Sequence, residues 1–183
     1  MKKSLVVASL IILIACTNWK LVQGPLIVPE KNMAFKIPAG WHQFNKTKNF
    51  LLFTRDGLLL EFIKILRVPV TEKLKYTRKT LRRDMLPQEV SEVIIDNLRS
   101  NTSLLNLQIL ENKPVNIDSF PGFRLVYSFE SEAQLKYKTV IYGFIRKSLY
   151  YQLKYEAASR HYFDKYLEDF EKVKDSFTIL NKE

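Results

Sequence analysis

Few side chains in this 183-residue chain are arranged for covalent or metal chemistry. Cys16 is the single cysteine, so no disulfide can form within one molecule and the fold rests on its core. A lone exposed thiol is a liability in an oxidising compartment, which makes the fate of Cys16 the first chemical question. His42 and His161 are the two histidines. They lie far apart, without a His-Glu-x-x-His pattern or paired ligand spacing, so no metal site is expected. No Gly-x-Ser-x-Gly elbow and no Gly-rich phosphate loop is present. Gly143 stands alone in a strand, where a missing side chain relieves packing. Nothing implies a cofactor, and the chain reads as a non-enzyme; a hydrolase built on His42 or His161 ranks last. The densest cluster of functional groups is basic: Lys73, Lys75, Arg78, Lys79, Arg82 and Arg83. Read as a helix, Lys75, Lys79 and Arg82 share a face, and Tyr76 and Leu81 add apolar contacts. Charges near an anionic membrane surface contribute about 1 kcal/mol each. The segment is therefore either a contact for anionic headgroups or an acidic partner, or a solvated connector.

Cys16 is positioned by what precedes it. Lys2 and Lys3 are followed by an uncharged, mostly apolar run from Leu5 to Ala15 and then the cysteine. A basic region, an apolar region and a small residue before a cleavage point make an export signal over residues 1–15. The run is shorter than the roughly 20 residues a membrane-spanning helix needs. Leu13-Ile14-Ala15-Cys16 resembles the bacterial lipobox, an aliphatic residue, a tolerant position, a small residue and a cysteine. That resemblance implies a diacylglycerol on the thiol, cleavage before Cys16 and acylation of the freed amine. One acyl chain holds a protein marginally, whereas two or three hold it firmly. The resemblance therefore implies a membrane-anchored, extracytoplasmic lipoprotein, with residues 16–32 as a tether and 33–183 as one domain. Thr17, where an Asp would retain the protein at the inner membrane, directs it to the periplasmic face of the outer membrane in a Gram-negative cell.

The chain carries 29 Lys+Arg against 19 Asp+Glu, a formal net charge of +10. Such a surface favours anionic partners. An exported protein rarely meets nucleic acid, so envelope partners come first: another envelope protein, then an anionic lipid or glycolipid. At 46% apolar residues the chain can bury a sizeable core.

The elements follow from periodicity. Ala34–Ile37, Phe50–Thr54 and Leu58–Arg67 read as strands, with Glu61 and Lys64 as charged exceptions in the last. Pro38-Ala39-Gly40-Trp41 is a turn that sets a tryptophan against the core. Pro87 opens an amphipathic helix, with Val90, Val93, Ile94 and Leu98 on one stripe. Asp118–Gly122 is a strong turn. Phe123–Phe129, Val140–Lys147 and Tyr150–Ala157 form an antiparallel meander. Ser159 is the expected N-cap of a last helix whose stripe runs Tyr162, Phe163, Tyr166, Phe170, Val173 and Phe177. Two amphipathic helices must each cover a sheet face, giving an α+β fold.

Phe35-Lys36-Ile37-Pro38-Ala39-Gly40-Trp41, with Pro121-Gly122-Phe123-Arg124 and the closing helix ending at Ser176-Phe177, is similar to the pattern of PsbP-like and Mog1-like domains, including bacterial DcrB-type lipoproteins. The resemblance spans roughly residues 33–180. It implies an α/β/α sandwich around a mainly antiparallel sheet, and a non-enzymatic binding or assembly role. It carries no binding residues across and speaks for fold more than for function.

Overall fold

The computed structural model describes residues 18–22, 24–45, 47 and 49–181. Period-two alternation along the second half of the chain builds the centre of the molecule. Four strands, β7 (Leu105–Ile117), β8 (Phe120–Glu130), β9 (Lys136–Arg146) and β10 (Leu149–Ala158), run as an antiparallel meander. β10 then pairs with β6 (Glu61–Pro69), which continues through β5 (Phe50–Thr54) and β4 (His42–Phe44) to β1 (Trp19–Leu21). The result is an eight-stranded sheet in the order β1-β4-β5-β6-β10-β9-β8-β7. A second, three-stranded sheet joins β2 (Pro25–Val28), β3 (Met33–Lys36) and β11 (Thr178–Ile179), so the end of the described chain is zipped onto its beginning.

Each sheet face has its own helix. α2 (Tyr162–Ser176) places Phe163, Tyr166, Phe170 and Val173 into a core that includes Val126, Val140, Leu153 and Tyr155. Trp41 is fully buried in the same core; it meets Tyr166 edge-on at 5.6 Å, and its ring N–H donates to Asp169 at 3.1 Å. On the opposite face α1 (Pro87–Arg99) sets Val90, Ile94 and Ile95 against Leu125, Tyr127 and Ile141. Pro87 occupies the first turn, where no backbone donor is needed, and Glu89 accepts the Leu86 N–H at 2.7 Å. The α+β architecture, a mainly antiparallel sheet with an amphipathic helix on each face, is the one the residue pattern predicts.

Several local expectations move. Trp19–Leu21 and Pro25–Val28, read above as part of a tether over residues 16–32, are paired strands, because Trp19, Leu21 and Leu26 find strand partners in Phe44, His42 and Phe35. Leu58–Leu60 is a turn, closed by the Leu60 and Glu61 N–H groups on the Gly57 carbonyl, so the strand begins only at Glu61. The turn expected over Asp118–Gly122 shrinks to Asp118 and Ser119. Both have positive φ (46° and 71°), the geometry of a two-residue hairpin, and Pro121 and Gly122 already belong to β8. Ser159 does not cap α2; its N–H and hydroxyl both bond the Lys136 carbonyl, and His161 precedes the helix instead. Cys16 and the export signal lie outside the described residues.

Candidate functional site

α1 covers only part of its sheet face. Its apolar stripe rests on β7, β8 and β9, which leaves β5, β6 and β10 to a different roof. That roof is the segment linking β6 to α1, which carries the basic residues. Val70 and Leu81 are buried and hydrogen-bonded to each other through the backbone at 2.9 Å, closing the segment between them into a loop. Asn97 of α1 accepts the N–H groups of Tyr76 and Thr77 at 3.0 and 3.2 Å, and Lys79 pairs with Asp96. Beneath the loop lies a cleft of about 710 Å³.

The floor of this cleft is polar where the neighbouring core is apolar. Alternation sends Lys64 of β6 and Gln152, Lys154 and Glu156 of β10 to the same side, with Lys64 and Lys154 directly opposite in register. Lys154 and Glu156 form an ion pair at 2.8 Å with side chains only 20% and 15% exposed, and Thr139 donates its hydroxyl to Glu156 at 3.0 Å. Burial opposes the Lys154 charge, but Tyr127 and Glu156 outweigh it and hold its pKa above the ordinary lysine value. Burial also pushes the Tyr127 hydroxyl up, so it stands as a neutral phenol beside them. Lys64 has no carboxylate within ion-pair distance among the described residues; its ammonium sits 4.3 Å from the centre of the Phe50 ring. Burial, and then the Lys154 charge, depress its pKa. Tyr150 donates to Gln152 at 3.1 Å, and Leu74, Leu98 and Leu104 supply an apolar wall. The arrangement is a concave, partly apolar surface with clustered cations, suited to holding a ligand with an anionic end.

The basic segment is not a helix, so Lys75, Lys79 and Arg82 do not share a helical face; Val70 and Leu81 pull it into a loop before a helical turn can propagate. Of its six basic residues, Lys73 and Lys75 line the cleft. Lys79 is tied to Asp96 and Arg82 to Asp84. Arg78 adopts φ 60° at the exposed loop tip, and Arg83 borders a separate small pocket near the start of α1. His42 lies on β4 and His161 before α2, and no group of three His, Cys, Asp or Glu side chains among the described residues could hold a metal ion. Lys64, Lys154 and Glu156 are absent from the residues singled out by sequence as a site. Their signal was present in Lys64, a charge inside an otherwise apolar strand.

No protein-family model matches the chain, and no curated protein matches it by sequence. Solved structures do match in three dimensions. A cyanobacterial PsbP (CyanoP) from Synechocystis superposes with a TM-score of 0.56 at 11% identity, covering 91% of this chain and 95% of that one. The Ran-binding protein Mog1p of Saccharomyces cerevisiae gives 0.58 at 6% identity, over 88% and 97%. The fold is that of PsbP and Mog1. LpqN of Mycobacterium tuberculosis, described as involved in cell envelope biogenesis, gives 0.52 at 11% identity, over 87% and 89%. A Bacteroides thetaiotaomicron crystal structure (0.53, 12% identity) is matched over 87% of this chain, which spans only 49% of that protein's length. At these identities the likeness concerns architecture alone. No helix among the described residues is long and apolar enough to cross a membrane.

Proposed function

We propose that this protein is a lipid-anchored binding module of the bacterial cell envelope, non-enzymatic, working through the cleft between the basic loop and strands β5, β6 and β10. The observation that carries the reading is the cleft itself: a 710 Å³ concavity with lysines on its floor and wall, of which Lys64 and Lys75 form no ion pair among the described residues. Binding sites are typically concave, largely apolar and supplied with a few convergent polar groups, and the cleft has this composition. The anchor rests on Leu13-Ile14-Ala15-Cys16, and the envelope setting agrees with the involvement of LpqN in cell envelope biogenesis. In a Gram-negative host Thr17 favours the periplasmic face of the outer membrane. The partner anticipated from sequence, an envelope protein or an anionic lipid, meets the chain at this cleft.

Two measurements test the reading. Intact mass of the protein from host membranes should equal residues 16–183 plus two or three acyl chains, and Cys16→Ser should abolish that mass. A photo-crosslinking amino acid at Tyr76, on the cleft wall, should trap discrete adducts in living cells, while one at exposed Leu135 should not. Equal labelling from the two positions would refute the cleft as the working surface.

A further inference from the structure

Resting on that reading of the cleft, we infer that its ligand is an amphiphile with one acyl chain and an anionic head, carboxylate or phosphate, the head seated on Lys64 and Lys75 and the chain running beneath the loop toward α1.

Charge argues for the head. Four lysines line the cleft (Lys64, Lys73, Lys75 and Lys154) against two carboxylates, Glu72 and Glu156. Glu156 is committed to Lys154 and to the Thr139 hydroxyl. Lys64 and Lys75 form no ion pair among the described residues; each ammonium rests over an aromatic ring instead, at 4.3 Å from Phe50 and 4.8 Å from Tyr76. Burial, then the Lys154 charge and last the Lys75 charge depress the Lys64 pKa, against a smaller upward pull from Glu156. An arriving anion relieves that repulsion and takes up charge-assisted hydrogen bonds. A neutral ligand would leave partly desolvated ammoniums facing one another.

Size and wall chemistry argue for a single chain. A cavity of about 150 Å³ takes a six-carbon ring, about 25 Å³ per carbon, so the cleft has room for roughly 28 carbon-sized atoms. One long acyl chain with its head fits that space; a two-chain phospholipid does not. Leu74, Ile94, Leu98 and Leu104 line the side away from Lys64, an apolar path ending among α1 and the turn that follows it. Each methylene buried there should tighten binding roughly fourfold. The loop that roofs the path is held to α1 by Asn97 and by the Lys79–Asp96 pair, and Leu74 packs from it against the core.

The test uses the full chain, purified from host membranes and held in an amphipathic polymer. A stearic acid bearing a mid-chain diazirine is photolysed with it, and adducts are mapped by peptide mass spectrometry. The expected result is one saturable adduct per chain on peptides containing Leu98, Leu104 or Tyr150. Oleate and lysophosphatidylglycerol should both compete, their relative strength deciding between carboxylate and phosphate heads; methyl oleate and lysophosphatidylcholine should not. Lys64→Ala should weaken labelling roughly tenfold or more. Leu98→Trp, which fills the cleft without removing a charge, should do the same. Unfolding midpoints check both variants, and if Lys64→Ala fails to fold, Leu98→Trp and the competitors decide. Competition by methyl oleate equal to that of oleate, adducts scattered over the surface, or labelling that survives both variants would overturn the inference. Absence of lipid labelling with a protein adduct at Tyr76 would overturn the ligand class and keep the binding module; absence of both would remove both.

Discussion

Gly143→Ala is the sharpest probe of the sheet face beneath α1. A Cβ at this position would lie 2.5 and 2.6 Å from the Cζ and Cε1 atoms of Phe123 and 2.8 Å from the Tyr150 hydroxyl. Neither neighbour can swing away, since Phe123 and Tyr150 are 1% and 2% exposed. Forcing a methyl into a packed core costs roughly 1–3 kcal/mol. Alanine recovers about 0.5–1 kcal/mol of the entropy glycine loses in a strand, so the net destabilisation should be about 1–2 kcal/mol. In a domain of this size that lowers the melting temperature by roughly 2–8 °C. Urea unfolding should show a lower midpoint with an unchanged slope, because the surface exposed on unfolding hardly changes. The mechanism is tested by repeating the substitution in Phe123→Ala. That change alone should cost about 3–5 kcal/mol. With the ring gone only the Tyr150 hydroxyl still crowds the methyl, so alanine at 143 should cost clearly less than in the parent chain, a coupling of about 1 kcal/mol or more. An equal cost in both backgrounds would refute ring collision as the reason glycine stands here.

Other outcomes follow from the charged groups. Burial raises the Glu61 pKa despite the Asp56, Arg55 and Thr54 donors on its Oε1, and Oε2 has no hydrogen-bond partner among the described residues. A carboxyl whose folded pKa exceeds its unfolded value weakens the fold above the folded pKa and ceases to do so below the unfolded one, near 4.5. Glu61→Gln, which keeps the Oε1 acceptor, should therefore stabilise the chain at neutral pH and lose that advantage below about pH 4.5, as read by urea midpoints across pH. Asp56 behaves oppositely: hydrogen bonds from Tyr166 and Lys165 hold its pKa below 3.8, so its stabilisation is present above that value and lost as pH falls through the folded pKa. Asp56→Asn should flatten the acid limb of the stability curve, and an unaltered limb would count against the pairing. Lys154→Met takes the ammonium from Glu156, which is 15% exposed and keeps its Thr139 hydrogen bond, and should cost about 1–3 kcal/mol, much of it recovered when Glu156 is also changed to Met. Asn97→Ala should raise amide hydrogen exchange at Tyr76 and Thr77 without changing exchange in β8 and β9.

The elements legible in the sequence were those with strong periodicity. The stripe of α1, the aromatic stripe of α2 and the meander over β8, β9 and β10 follow from spacing that no tertiary contact overrides. Trp41 in the core followed from its turn. β1 and β2 were missed because strands of three and four residues carry too little alternation to separate from a linker containing Gly24-Pro25. The basic segment deceived for another reason: its charges repeat at helical spacing, while the two buried anchors that shape it, Val70 and Leu81, show nothing in sequence of their backbone bond. The cleft floor was half visible. Lys64 broke an apolar strand, but its meeting with Lys154 across β6 and β10 is a matter of register between segments some ninety positions apart.

The pairing of β1 also bears on how far the domain can travel. Cys16 stands three positions before Trp19, the first residue of β1. An acylated Cys16 would be joined to the sheet by a leash of at most about 10 Å, where a free segment to residue 32 would have allowed roughly 55 Å. Strand β1 lies three strand spacings, about 14 Å, from β6 and the floor of the cleft. If Cys16 is acylated as proposed, a domain on so short a leash would hug the headgroups, sample few orientations and reach only molecules that share its own leaflet.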